Sequence, residues 1–116
     1  MSVFTSTTGT CTIVGNCVRS PNYPGNYENS DACTITMAAD TLLSVTAFKV
    51  EYSSSCAYDY VRVRVSPATS GSTKYCGVGG PSDGPNGVVA MASYGITWST
   101  DHSLAKTGWE ICGVAN

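Results

Sequence analysis

Charge is scarce in this sequence. Charged residues make up 12% of its 116 positions, six Lys or Arg against eight Asp or Glu. So little charge argues against a disordered chain and against a long solvated helix. The six cations are scattered and the net charge is −2, so no basic stripe offers itself to nucleic acid or to an anionic membrane. No apolar run nears the roughly 18 residues that a bilayer span requires, which argues against membrane insertion. Met1-Ser2-Val3-Phe4 has neither the basic start nor the apolar stretch of a secretory leader. The chain also lacks a Cys-x-x-Cys pair, which weakens a zinc or thioredoxin-type reading. It lacks an Asn-x-Ser/Thr sequon, and it holds a single His.

Against these absences stand six cysteines, at positions 11, 17, 33, 56, 76 and 112. An even, dense count in a short chain reads as a disulfide framework and hence as an exported protein. The expectation is a secreted, extracellular protein trimmed from a longer precursor, with three disulfides whose pairing the count leaves open.

Alternation carries the fold. In Tyr60-Val61-Arg62-Val63-Arg64-Val65 the valines face inward and the arginines face water. Cys33 to Met37 alternates too. Leu42 to Tyr52 alternates in two phases that change between Val45 and Phe48, which places a bulge near Ala47. Further short runs occupy Val88–Ala92, Ile96–Trp98 and Trp109–Cys112. No stretch keeps a 3.6-residue period. Ser20-Pro21-Asn22-Tyr23-Pro24-Gly25-Asn26 is a turn, because its prolines fix φ and remove donors. The Gly- and Pro-rich stretch from Gly77 to Gly87 reads as a long flexible connection, and its glycines lack the Gly-Lys-Ser/Thr of a phosphate cradle. The expected fold is all-β, an antiparallel two-sheet sandwich forming a single domain over residues 1–116.

Two constellations could carry chemistry. Asp101-His102-Ser103 holds the residue types of a hydrolase triad, but neighbours on a strand point to opposite faces and do not form a relay. Glu51, Asp59 and Asp101 each fall at a strand end, where loops can converge on one edge of a sandwich. Converging carboxylates repel unless a cation relieves them, and Ca²⁺ prefers oxygen ligands. Strand-end acids are most often solvated turn residues, so spacing alone does not decide between these readings.

Several segments together resemble one family. Ser20-Pro21-Asn22-Tyr23-Pro24 with Tyr27 and Cys33 resembles the opening of CUB domains. Cys56-Ala57-Tyr58-Asp59-Tyr60-Val61 resembles their central Cys-x-Tyr-Asp-Tyr-Val motif. Tyr75-Cys76-Gly77, Trp98-Ser99-Thr100-Asp101-His102-Ser103 and Gly108-Trp109 follow in the family's order. The resemblance is to the calcium-binding type, with an extra cysteine pair. It implies a jelly-roll-like sandwich, a Cys56–Cys76 disulfide and a first bridge from Cys11 to Cys33. Cys17 and Cys112 then form the extra pair; Cys17–Cys33 with Cys11–Cys112 is the rival. It implies Ca²⁺ held by Glu51, Asp59 and Asp101 with a carbonyl near Ser103, and Tyr27 hydrogen-bonded to the acids. It also implies a non-enzymatic module that docks a partner protein through a Lys or Arg beside the metal. Tyr23, Tyr27 and Tyr58 would supply contact area. The alternatives are a structural subunit of an extracellular assembly or fibre, by self-assembly, and a glycan-binding module.

Overall fold

The computed structural model describes residues 3–64, 72–92, 94–101 and 105–114. Among the described residues, ten strands form two antiparallel five-stranded sheets. The strands are β1 (Phe4–Gly9), β2 (Thr12–Val14), β3 (Cys17–Arg19), β4 (Ala32–Met37), β5 (Thr41–Lys49), β6 (Tyr60–Arg64), β7 (Ser72–Tyr75), β8 (Val89–Ala90), β9 (Ile96–Ser99) and β10 (Gly108–Val114). One sheet runs β1-β4-β9-β6-β7 and the other β2-β3-β10-β5-β8. No α-helix occurs among the described residues, and no helix there is long and apolar enough to cross a membrane.

The alternation read from sequence becomes the inner faces. Cys33, Ile35 and Met37 of β4, Val61 and Val63 of β6, and Ile96 and Trp98 of β9 are buried from one side. Leu43, Val45 and Phe48 of β5 and Trp109 and Ile111 of β10 meet them from the other. Each such side chain contributes about 1.5–3 kcal/mol when fully buried. Val65 lies outside the described residues. The bulge falls one residue before Ala47. Glu110 pairs with Ala47 and Ile111 with Val45, so Thr46 is the extra residue and Phe48 returns to the core.

At the centre, Tyr27 meets Trp98 edge-on at 4.9 Å between ring centroids, and Trp98 meets Trp109 at 5.6 Å. Edge-to-face pairs at these distances suit the ring quadrupoles. Gly108 makes the close approach possible. Its φ is +85°, and a Cβ there would drive into the Ser20 side chain. Ser20 Oγ instead accepts the Trp109 N–H at 2.9 Å, which ties the Ser-Pro-Asn-Tyr-Pro turn to β10.

Three disulfides close the frame. Cys11–Cys33 joins the β1–β2 connection to β4, and Cys56–Cys76 joins the β5–β6 loop to the end of β7. Cys17–Cys112 links directly opposed positions of β3 and β10 across 95 residues of sequence. The rival pairing, Cys17 with Cys33, is not the one formed.

The Gly77–Gly87 segment is not the loose connection its glycines suggest. Val50 and Gly77 exchange backbone hydrogen bonds, and Pro81–Asp83 forms a 3₁₀ turn. Asp83 Oδ2 accepts the Gly79 N–H at 2.7 Å, while Gly84 lies against the Phe48 ring. Gly77, Gly79 and Gly84 admit neighbours that a Cβ would displace.

Candidate metal centre

Antiparallel pairing brings the ends of β5 and β9 and the start of β6 to one pole of the sandwich. The register pairs Tyr60 with Ser99 in one sheet and Gly108 with Lys49 in the other. Asp59 precedes β6, Asp101 lies two residues past β9, and Glu51 lies two residues past β5. The three acids therefore come from both sheets. One carboxylate oxygen of each lies within 4.8 Å of the other two. Asp59 is fully buried, Glu51 is buried and Asp101 is half-buried.

Tyr27 organises the cluster. Its hydroxyl donates to Asp59 Oδ2 at 2.5 Å and accepts the Glu51 N–H at 3.2 Å. The Asp101 N–H donates to Asp59 Oδ1 at 2.8 Å. Burial pushes the Asp59 carboxyl above the usual carboxylate range; the Tyr27 and Asp101 hydrogen bonds oppose that rise, and the Asp101 charge adds to it. Burial, with the bond to Asp59, pushes the Tyr27 phenol well above its ordinary value. The phenol therefore stays a proton donor throughout the neutral range.

The donor set fits a hard cation. All three donors are carboxylate oxygens, which suit the Ca²⁺ class over metals that prefer imidazole or thiolate. Oxygens about 2.4 Å from one Ca²⁺ are at most about 4.8 Å apart, and the three here meet that limit. Cys17, Glu110 and Cys112 also cluster, but both sulfurs are spent in a disulfide and offer no thiolate.

Other residues named from sequence fare differently. Ser103 lies outside the described residues, as does His102. Tyr27 is buried, so it offers no surface to a partner. Tyr23 is half-buried beneath Arg19, whose guanidinium lies 5.7 Å from the ring centroid. Tyr58 is exposed, and so is Tyr52, at 69%. The alternation of Leu42–Tyr52 places Tyr52 in a strand, whereas β5 ends at Lys49. Gly80-Pro81-Ser82-Asp83-Gly84 has Gly-x-Ser-x-Gly spacing but forms no elbow. A nucleophile elbow needs a strand running directly into an α-helix, and Ser82 sits instead in the exposed 3₁₀ turn.

Residues 8–112 match the family model of the CUB domain. The chain belongs to the CUB domain family. It is 36% identical over 95 residues to embryonic protein UVS.2 of Xenopus laevis, covering 78% of this chain and 18% of that protein. It is 36% identical over 101 residues to Tolloid-like protein 2 of Homo sapiens, covering 79% and 9%. Cubilin of Canis lupus familiaris is 29% identical over 98 residues, covering 79% and 3%. The chain thus spans under a fifth of each of these relatives. Among solved structures, the CUB1-EGF-CUB2 domain of human MASP-1/3 superposes with a TM-score of 0.63 at 24% identity, covering 86% of this chain and 41% of that one. The full extracellular region of zebrafish Gpr126/Adgrg6 gives the same score and identity, covering 100% and 15%. At that identity the likeness establishes the fold alone. CUB domains are in general non-catalytic modules of extracellular proteins that mediate protein–protein contact, and membership gives this chain that broad class.

Proposed function

We propose that residues 1–116 form one non-enzymatic extracellular CUB module that binds Ca²⁺ at Glu51, Asp59 and Asp101 and docks a partner protein at that edge. The observation that carries this reading is the convergence of the three carboxylates from two sheets, two of them buried, around a Tyr27 hydroxyl that fixes Asp59. A bound Ca²⁺ would supply the positive charge that buried, mutually repelling carboxylates require. A backbone carbonyl near Ser103 completes the proposed donor set. Because the cluster draws on both sheets, metal binding stiffens one pole of the sandwich.

Asp101 is half-buried and offers carboxylate surface to a Lys or Arg of a partner. Charge-assisted bonds of that kind are strong where they are partly desolvated. Tyr52 and Tyr58 are exposed close in sequence to the acids and supply flat contact area at low entropic cost.

Thermal melts in Ca²⁺ and in chelator test the reading. Extracellular calcium modules bind at roughly 10⁻⁴–10⁻³ M. At 100 times the dissociation constant the gain is about 2.7 kcal/mol, roughly 10 °C for a domain of this size. Identical melting points at 10 mM Ca²⁺ and in chelator reject it. A calcium shift with no affinity for any basic peptide favours a purely structural metal.

A further inference from the structure

Beside the acid cluster lies a second hydrogen-bonded knot that touches none of the proposed ligand oxygens. Thr100 immediately precedes Asp101. Its hydroxyl donates toward the Glu28 carbonyl at 3.1 Å and the Asp31 carbonyl at 3.2 Å, and accepts the Asp31 N–H at 2.6 Å. The Thr100 N–H donates to the Asp31 carbonyl at 2.9 Å, and the Ser30 N–H to the Asp101 carbonyl at 2.6 Å. Ser30 is held at φ 55°, a left-handed conformation that L residues rarely adopt. The Asp31 carboxylate is committed elsewhere: Oδ2 accepts the Thr10 hydroxyl at 2.5 Å and Oδ1 the Ala32 N–H at 2.9 Å. Thr10 adjoins Cys11, whose disulfide runs to Cys33 in β4.

This knot joins the two arms that carry the cluster. The segment from Tyr27 to Asp31 brings the hydroxyl that fixes Asp59, and the end of β9 brings Asp101. Thr100 stitches one to the other through backbone atoms, so the two arms move together or not at all.

We infer that Thr100 is a positioning residue for the calcium site, its hydroxyl clamping the Glu28–Asp31 loop to the Asp101 arm before any metal binds. This rests on the calcium reading above. A site formed beforehand does not spend binding energy on ordering its loops. Groups that orient metal ligands without touching the metal typically change affinity about 10- to 100-fold when removed.

The test compares Thr100→Val, which keeps the shape and loses the hydroxyl, with Thr100→Ser, which keeps the hydroxyl. Calorimetric Ca²⁺ titrations of both are read against the unaltered chain. The expected result is a dissociation constant raised about 10- to 100-fold in Thr100→Val and near the unaltered value in Thr100→Ser. Equal affinity in Thr100→Val overturns the inference while leaving the calcium reading intact, even if that variant melts lower in chelator. Weakening in both variants also overturns it, because packing rather than the hydroxyl would then be responsible. An unaltered chain that takes up no Ca²⁺ at millimolar concentration removes the calcium reading and this inference together. Amide exchange in the unaltered chain decides the point should Thr100→Val fail to fold. The Ser30, Asp31 and Thr100 amides are expected to be as protected in chelator as in Ca²⁺; protection that appears only with Ca²⁺ overturns a clamp formed beforehand.

Discussion

The hydroxyl of Tyr27 donates to Oδ2 of Asp59 at 2.5 Å, joining residues 32 apart in sequence in a buried pair. Tyr27 rests edge-on against Trp98, so the core holds the phenol that holds the acid. Removing the hydroxyl in Tyr27→Phe takes a donor from a buried carboxylate. The expected loss is about 1–3 kcal/mol of stability, with a smaller calcium shift. Urea titration in chelator and in Ca²⁺ measures both; unchanged midpoints would show that the bond holds nothing.

The Cys17–Cys112 disulfide restrains the widest span of the chain, 95 residues. Closing a loop of about 100 residues lowers unfolded-chain entropy by roughly 4.7 kcal/mol at 25 °C in the chain-entropy model, and measured losses run about 2–5 kcal/mol. Replacing both cysteines by Ala should therefore cost several kcal/mol and spare the acid cluster at the far ends of β5 and β10. A denaturation curve with a drop under about 1 kcal/mol contradicts this.

Glu110 gives a pH dependence of known sign. Its Oε1 accepts the Thr46 hydroxyl at 2.6 Å and its Oε2 meets Arg19 Nε at 2.6 Å. These contacts, the Thr46 bond first, hold the carboxyl below its ordinary value. The unfolded chain therefore binds more protons in the acid window, and stability rises with pH there. The contribution is complete above the ordinary Glu value of about 4.3 and is lost as pH falls through the depressed folded value. Because the pair is partly exposed, it is worth about 0.5–1 kcal/mol at most. Glu110→Gln should flatten that part of the stability–pH curve, and an unchanged slope would show that the pair contributes nothing.

Gly108→Ala tests the link between the first turn and the core. The added methyl meets the Ser20 side chain at a φ of +85°, which L residues rarely adopt. The expected cost is about 1–3 kcal/mol, read as a lowered melting point in chelator. A neutral substitution would mean that the Ser20–Trp109 bond shifts freely.

Much of the fold was legible because alternation and burial are one pattern: Val61 and Val63, Ile35 and Met37, Ile96 and Trp98 face inward as their period requires. The phase change in β5 showed the bulge to within one residue. β1 is rich in Thr and Ser and carries little apolar alternation, while β2 and β3 have three residues each, too few to show a period; their pairing comes from β4 and β10. The order of the Gly77–Gly87 loop depends on Asp83 folding back on Gly79, a contact no local pattern announces. The three acids were visible as strand-end residues, but only the family motifs singled them out. That two of them are buried, and that Tyr27 is interior rather than exposed, follows from packing across the two sheets.

A crystal structure of the chain grown in 5–10 mM Ca²⁺, roughly ten times the weak end of the extracellular range, tests the central claim most directly. The expected result is one ion bound by carboxylate oxygens of Glu51, Asp59 and Asp101 at about 2.3–2.6 Å, with the Tyr27–Asp59 bond intact. An empty cluster at that concentration, or an ion held by other residues, contradicts it.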